Sequence, residues 1–267
     1  MEQINDQIKY RYLMEIEYDG TNYFGFQKQI KDSLPTIEES LINAIYKLTS
    51  ENVEIYASGR TDAGVHSLGQ TIHFDLAKKF LTKEICFGLN HFFRTNNDAI
   101  SVLNCEIVDQ NFHVRYNAIM RYYRYIIINR NAQLAIDKNR AWHIRKKLEI
   151  SSMIESSKFL IGKHDFTSFR DSQCQANSPI KTIQNIIFKI DDSKIIIEFS
   201  AKSFLHHMVR NIVGTLVYAG LSKIKPEDIK SILTAKDRTK SGPNAPACGL
   251  YFLKTDYNSL DKITKNK

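Results

Sequence analysis

Apolar and polar residues alternate along the first half of the chain in a way that predicts strands separated by helices. Residues 10–18 alternate around Leu13, Ile16 and Tyr18, as in a half-buried strand, and Asp19-Gly20 ends the segment in a turn. Farther along, the same reasoning predicts helices at 36–48 and 82–93 and strands at 53–58, 70–76 and 99–108.

The second half of the chain repeats this pattern. Residues 118–129 form a long apolar-rich strand, and Leu205, Met208 and Ile212 recur at helical spacing within 204–221. The remaining segments predict strands at 181–191, 194–201 and 250–256, a helix at 152–161 and a short helix after Pro226.

This order of elements predicts an α/β (α+β) fold with two similar subdomains. We expect each subdomain to hold a mixed, largely antiparallel sheet with helices on one face. The expected domains are 1–115 and 116–267, with the active-site cleft between them, where ligand sites are often found.

The charge balance favours a polyanionic partner. Lys and Arg total 37 against 29 for Asp and Glu, which gives a net charge of +8 and a pI of about 9.1. Nucleic acid is favoured over an anionic membrane surface, although a basic protein with neither partner fits the charge equally well.

The cysteines and the apolar segments further limit which classes of protein this chain can belong to. Four cysteines are scattered without a C-x-x-C pair, so the sequence supports neither a zinc ribbon nor a thioredoxin-type site. The polar N-terminus has no signal-peptide pattern, and no apolar run reaches 18 residues. We therefore expect a soluble, cytoplasmic protein with reduced thiols and no membrane partner.

The loop that follows the predicted strand 53–58 carries the clearest chemistry. Arg60 stands two residues before Asp62 among glycines that allow sharp turns, and in an extended path the two side chains share a face. A pair between them would keep the carboxylate ionised, as a nucleophile or a base. Two other interpretations stay open: an Asp that closes a turn beside a surface Arg, and a metal site formed by Asp62, His66 and His73.

The string GRTDAGVHS at 59–67 closely resembles the signature of the TruA-type pseudouridine synthases, and the resemblance extends over most of the chain. Further family motifs are matched by YDG at 18–20 with YFGFQ at 23–27, FHVRY at 112–116, RYYRY at 121–125, HDFTSFR at 164–170 with Cys174-Gln175, FLHHMVRNIVG at 204–214, and APACGLY at 245–251. The sequence departs from the family after Leu89-Asn90, where the usual proline is missing.

The resemblance implies an isomerase that converts uridine to pseudouridine in tRNA without metal or cofactor. It makes Asp62 the catalytic carboxylate, and it assigns Arg60 to base flipping. Tyr123 is expected to stack on the flipped uracil, although a tyrosine in a strand is also typical of a core, and Leu250 is expected to line the pocket.

The resemblance also implies RNA contacts on several segments. The expected RNA-binding residues are Phe112, His113, Val114, Arg115, Tyr116, Lys78, Lys79, Gln173, Cys174, Gln175, Ala176 and Asn177. His206, His207 and Arg210 are expected on one helix, where His206 and Arg210 could face the cleft together, but their roles stay open.

The implied partner is the tRNA anticodon stem-loop, at positions 38, 39 and 40, bound by a homodimer, with no DNA partner. The rival interpretation is a tRNA-binding or tRNA-folding protein without catalysis, which charge and aromatic content fit equally well. A metal-dependent nuclease would need a carboxylate cluster that the Asp62 loop lacks.

Overall fold

The computed structural model of the protein describes residues 9–28 and 34–259, so the polar N-terminal segment discussed above lies largely outside the described residues. The chain divides into two compact units: Met1–Ile119 with Phe252–Lys267, and Met120–Tyr251. The described elements are β1 (Tyr10–Tyr18), α1 (Ile37–Thr49), β2 (Tyr56–Ala57), β3 (His66–Leu76), α2 (Thr82–Asn96), β4 (Ile100–Val108), β5 (Ala118–Asn129), β6 (Trp142–Ile144), α3 (Ile150–Lys158), β7 (Gly162–Asp165), β8 (Ile180–Asp191), β9 (Lys194–Ala201), α4 (Met208–Gly220), α5 (Asp228–Ala235) and β10 (Leu250–Tyr257).

The first unit is a sheet in the order β4-β1-β3-β10, with β2 paired to β3. The pairs β1–β3, β1–β4 and β2–β3 are antiparallel. Tyr12, Met14 and Phe74 pack with apolar residues of α1 and α2 in one core cluster, so the helices cover one face of this sheet, as predicted. Leu13, Val108, Phe112 and Val114 form a second, smaller cluster.

The domain boundary differs from the predicted one. The division at 115/116 assigned the whole C-terminal part to the second subdomain, whereas the segment from Phe252 onward belongs to the first unit. The reason is that β10 lies next to β3, where the Ser67 hydroxyl donates a hydrogen bond to the Phe252 carbonyl at 3.3 Å.

The second unit is a sheet in the order β5-β9-β8-β7, with antiparallel neighbours and with β6 added to β5 in parallel. Tyr123, Tyr125 and Ile127 alternate along β5 on its buried face. Helices α3 and α4 pack where a Cβ on Gly220 would lie 2.8 Å from the Met153 side chain, so the glycine permits the close approach. The mixed α/β class with mostly antiparallel strands is confirmed.

Two predicted elements differ from the structure, and two short strands were not predicted. The strand predicted at 53–58 is reduced to β2, because only Tyr56 and Ala57 pair with β3. The helix predicted from 204 begins at Met208, because His207 adopts a left-handed conformation, φ 60°, that a helix interior does not accept. The short strands β6 and β7 were not predicted.

Within residues 9–28 and 34–259, no helix has the length and apolar character needed to span a bilayer.

Candidate active site

The Asp62 loop, which we define as residues 59–65, connects β2 to β3 through a tight turn. The Val65 N–H donates to the Asp62 carbonyl at 3.1 Å, and Gly64 has a positive φ of 76°. Thr61 and Val65 are buried on either side of a half-buried Asp62. The turn therefore fixes the backbone that carries the carboxylate.

The segment that follows β1 supports this loop through backbone contacts. The Phe26 N–H donates to the Thr61 carbonyl at 3.0 Å, and the Gly64 N–H donates to the Tyr23 carbonyl at 3.4 Å. Gly25, at φ +86°, lies so close that an added Cβ would be 2.8 Å from the Thr61 carbonyl oxygen and 3.1 Å from the Asp62 carbonyl carbon. The YDG and YFGFQ motifs thus form the support of the Asp62 loop.

Buried side chains hold the loop from its other side. The Tyr18 and Thr61 hydroxyls are 2.8 Å apart, and the Gln70 amide donates to the Gly59 carbonyl at 2.6 Å. The Ser58 hydroxyl donates to Gln70 Oε1 at 2.6 Å. Burial raises the pKa of Tyr18, so its hydroxyl stays protonated as a hydrogen-bonding group. The first part of the loop is thereby anchored on the sheet.

Arg60 does not form the predicted pair with Asp62. The guanidinium is exposed, and the ion pairs found among the described residues do not join it to Asp62. The prediction assumed that a shared face would bring the two side chains together, whereas the Arg60 side chain is exposed to solvent and the Asp62 side chain is half-buried. Arg60 is consequently accessible to an incoming ligand.

The alternative metal site of Asp62, His66 and His73 is not assembled either. Both histidines lie on β3, seven residues apart, so their Cα atoms are separated by roughly 20 Å along the strand. Each Nδ1 accepts a backbone N–H, from Gly20 at 3.1 Å and from Val114 at 3.3 Å respectively.

The stretch 112–116 divides into buried and accessible side chains. Phe112 and Val114 belong to the smaller core cluster and are 1% and 0% exposed, so their side chains are not available to RNA. His113 is half-buried, and Arg115 and Tyr116 are exposed. The rings of His113 and Tyr116 are in contact, with centroids 4.3 Å apart. Two residues of this motif therefore pack in the core, and the other three remain accessible.

A cavity of about 380 Å³ adjoins this stretch and is lined by Arg11, Tyr56, His73, Asp75 and His113 among others. Tyr56 stacks on His73 with centroids 4.9 Å apart. Burial and the Arg11 guanidinium lower the pKa of His73 to about 4, and burial also lowers the pKa of His113. Both imidazoles are therefore neutral at pH 7.

Lys78 and Lys79 lie in an exposed turn after β3. Glu51 accepts hydrogen bonds from the Ala77 and Lys78 N–H groups at 2.7 and 3.1 Å, which fixes the turn backbone. The Lys79 ammonium is 5.8 Å from the centroid of the Tyr10 ring. Both side chains are exposed and accessible to phosphate groups.

In the second unit, Tyr123 and Leu250 are both buried, at 9% and 6% exposure. The Tyr123 ring meets Phe204 edge to face, with centroids 5.1 Å apart, which fixes the ring plane. Tyr125, on the same strand face, is fully buried and donates its hydroxyl hydrogen bond to the Pro246 carbonyl at 2.7 Å. Tyr125 therefore packs in the core of the second unit.

The loop 173–177 carries accessible amides around a buried cysteine. Gln173, Gln175 and Asn177 are exposed, whereas Cys174 is 8% exposed and Ala176 is half-buried. The Cys174 side chain therefore serves packing, and the three amides remain for ligand contacts.

Asp171 links this loop to the paired histidines, a role that the sequence did not reveal. Its carboxylate accepts the Gln173 N–H at 2.9 Å and lies 2.8 Å from His207 Nδ1 and 3.8 Å from His206 Nδ1. Burial alone would raise the pKa of Asp171, but the Gln173 and His207 hydrogen bonds hold it below its ordinary value. The only sequence signal at this position is an Asp two residues before a polar loop, which indicates a turn.

The two histidines differ from their predicted setting. His206 and His207 precede α4 instead of lying on it, and their rings stack with centroids 3.9 Å apart. Arg210 is on the helix and donates from Nε to the Ala245 carbonyl at 2.7 Å. The predicted alignment of His206 with Arg210 on one helix face was therefore wrong, because His206 lies outside the helix.

Comparisons with known proteins agree with these motifs. A family model described as tRNA pseudouridine synthase matches residues 14–117 and 157–258. The tRNA pseudouridine synthase A of Ehrlichia chaffeensis (strain ATCC CRL-10679 / Arkansas) is 47% identical over 92% of this chain and 100% of its own length. That of Ehrlichia ruminantium (strain Gardel) is 46% identical over 93% of this chain and 100% of its own length.

Among solved structures, a chain of a crystal structure of a Cbf5-Nop10-Gar1 complex covers 78% of this chain and 44% of its own, at 10% identity and a TM-score of 0.33. That likeness is too weak to bear on fold or function. The family match, by contrast, spans most of the chain and includes the Asp62 loop, its supporting segment and the loop 173–177. The chain therefore belongs to the tRNA pseudouridine synthase family.

Proposed function

We propose that this protein converts uridine to pseudouridine in the anticodon stem-loop of tRNA, at positions 38, 39 and 40, with Asp62 as the catalytic carboxylate. The main support is that this chain belongs to the family and that contacts from Gly25, Tyr18 and Gln70 hold the Asp62 loop in place. These contacts fix the backbone that carries the Asp62 carboxylate. Preorganised catalytic groups lose less entropy when substrate binds.

The reaction breaks the bond from uracil N1 to the sugar C1′, turns the base and forms a bond from C5 to C1′. The C5 proton leaves to solvent, and N1 gains one, so the product is an isomer. Asp62 acts either as a nucleophile at C1′ or as a base that removes a sugar proton. Both routes require the ionised carboxylate.

The target uridine must leave its stack, which costs a few kcal/mol. The exposed Arg60 is suited to enter the vacated space, since the Asp62 carboxylate does not hold it. Tyr123, oriented by Phe204, is suited to stack on the flipped uracil, and stacking contributes about 1–3 kcal/mol per base. The buried Leu250 would exclude water beside the sugar.

RNA contacts outside the pocket are assigned to side chains that solvent reaches. In the first unit these are His113, Arg115, Tyr116, Lys78 and Lys79, and in the second unit Gln173, Gln175 and Asn177. Phe112, Val114, Cys174 and Ala176 contribute through the backbone and by packing. We further propose that the protein acts as a homodimer in the cytoplasm.

The decisive experiment measures tritium release from tRNA transcripts labelled at uracil C5. Wild-type protein is expected to release tritium, and Asp62→Asn to lower the rate on the order of a thousandfold or more while still binding tRNA. Asp192→Asn is the matched control, because it removes one exposed carboxylate at a turn residue, φ 49°, whose conformation Asn tolerates.

Binding without release by the wild type would favour the non-catalytic tRNA-binding interpretation. Equal release by Asp62→Asn would remove Asp62 from the chemistry.

A further inference from the structure

The second unit carries a strongly basic surface segment between β5 and α3. Residues 130–147, which we name the basic segment, hold six Lys or Arg residues against one acid, Asp137. The six side chains are exposed: Arg130, Lys138, Arg140, Arg145, Lys146 and Lys147. The segment lies between the two regions that the family model matches and contains none of the site residues assigned above.

The C-terminal part of the basic segment has a fixed backbone. Residues 142–144 form β6 along the end of β5. The Asn129 amide donates to the Ile144 and Lys146 carbonyls, both at 2.8 Å, and its oxygen accepts the Leu148 N–H at 2.9 Å. The cationic side chains there are therefore attached to an ordered backbone, which lowers the entropy lost when they bind a ligand.

Specific contacts connect the basic segment to the proposed uridine pocket. The Tyr251 hydroxyl donates to the Arg140 carbonyl at 2.7 Å, next to Leu250. Trp142 meets Tyr125 edge to face, with centroids 6.3 Å apart. Along β5, Arg130 lies seven residues beyond Tyr123, or about 23 Å in an extended strand.

Five of the six cations of the segment lie outside the described ion pairs. Among the described residues, the ion pairs do not include Arg130, Lys138, Arg145, Lys146 or Lys147, whereas Arg124 and Lys189 in the same unit both pair with Glu198. The Asp191-Asp192 turn lies near, since the Asn129 N–H donates to the Ser193 carbonyl at 2.7 Å. Its two carboxylates leave the surface net positive.

We propose that the basic segment binds tRNA phosphates remote from the target uridine, outside the anticodon stem-loop. Arg130, Lys138, Arg145, Lys146 and Lys147 are exposed cations outside the described ion pairs, and such cations match the polyanionic backbone of RNA. Arg130 lies about 23 Å from Tyr123, which exceeds the reach of the nucleotides next to the flipped base. The inference rests on the proposed function, because it takes the Tyr123–Leu250 region as the uridine pocket.

The test compares tRNA binding in the Asp62→Asn background with and without Arg145→Gln, Lys146→Gln and Lys147→Gln. Full-length tRNA is expected to bind about tenfold more weakly or worse without these cations. The slope of log K against log salt concentration is expected to fall by roughly 2–3. The isolated anticodon stem-loop is expected to bind both proteins within about twofold.

Two controls separate a local effect from a general one. Lys47→Gln, Lys83→Gln and Arg94→Gln together remove three exposed cations from α1 and α2 and should leave tRNA affinity within about twofold. Lys146→Arg with Lys147→Arg keeps the charge and should retain binding, which shows that the backbone tolerates substitution there.

Unchanged tRNA affinity, an equal loss on the isolated stem-loop, or an equal loss in the α1–α2 control would overturn the proposal. Failure of the proposed function is distinguished by a separate measurement: the wild-type protein would then release no tritium from full-length tRNA labelled at uracil C5.

Discussion

At the scale of single residues, Gly25 makes a close contact with the Asp62 loop that can be tested by substitution. An alanine there meets two obstacles: a positive φ of 86° and a Cβ 2.8 Å from the Thr61 carbonyl oxygen. We expect Gly25→Ala to displace the loop, lower kcat for tritium release at least about tenfold and cost about 1–3 kcal/mol of stability. Single-turnover release assays with urea unfolding would measure both effects.

Gly162 provides the matched control for this prediction. Its φ is also positive, at 102°, but the nearest atom to an added Cβ is His164 Nε2 at 3.6 Å, an ordinary contact. Gly162→Ala should therefore lose about 1 kcal/mol of stability and keep its kcat. Equal kinetic losses in the two variants would mean that backbone strain alone, and not loop position, accounts for the Gly25 effect.

His73 makes stability depend on pH below neutrality. Its pKa is about 4 in the folded protein against an ordinary 6.5, so the unfolded chain takes up the proton first as the pH falls. The stability that the neutral ring contributes is complete above pH 6.5 and is lost progressively from there toward pH 4.

Urea unfolding at pH 7 and pH 5 measures this effect. The wild type is expected to lose about 2 kcal/mol from this group over that interval, and His73→Gln clearly less. His91→Gln, on an exposed position of α2, should keep the wild-type difference. A wild-type slope retained in His73→Gln would assign the pH dependence to other groups.

At the scale of elements, the first turn of α1 depends on a capping box. Thr36 Oγ1 accepts the Glu39 N–H at 3.2 Å, and Glu39 Oε2 accepts the Thr36 N–H at 3.1 Å. Thr36→Ala should cost about 1 kcal/mol of unfolding free energy, measured by chemical denaturation. Thr95→Ala, which removes a hydroxyl bond to the His91 carbonyl in exposed α2, should change stability by less than about 0.5 kcal/mol.

Element boundaries were predictable where the chain gives strong local signals. The strands β1, β5 and β9 agree with prediction at both ends, because alternation ends at turn residues such as Asp19-Gly20 and Asp192-Ser193. The strands β6 and β7 have three and four residues, too few for a detectable period. The predicted start of α4 was wrong because no local sequence signal indicates that His207 adopts a left-handed conformation.

The candidate site was predictable in part, for a related reason. The residues of the Asp62 loop are contiguous, so their motif is visible in the sequence. Tertiary contacts are not: packing buries Phe112 and Val114 inside an aromatic and basic motif, and Asp171 meets His207 across 36 positions. Local patterns identify which residues are present, whereas through-space packing decides which side chains a ligand reaches.

At the scale of the whole molecule, the homodimer prediction has a direct test. A tRNA is large relative to a chain of 30.9 kDa, so a second protomer would add cationic surface that holds the tRNA body while one site receives the uridine. Light scattering at micromolar concentration should therefore give about twice the chain mass. Asp62→Asn should give the same value, because its half-buried side chain is assigned to chemistry. A mass equal to one chain would contradict the dimer. The basic segment would then have to supply the remote phosphate contacts within a single protomer, as its contacts near Leu250 and Tyr125 allow.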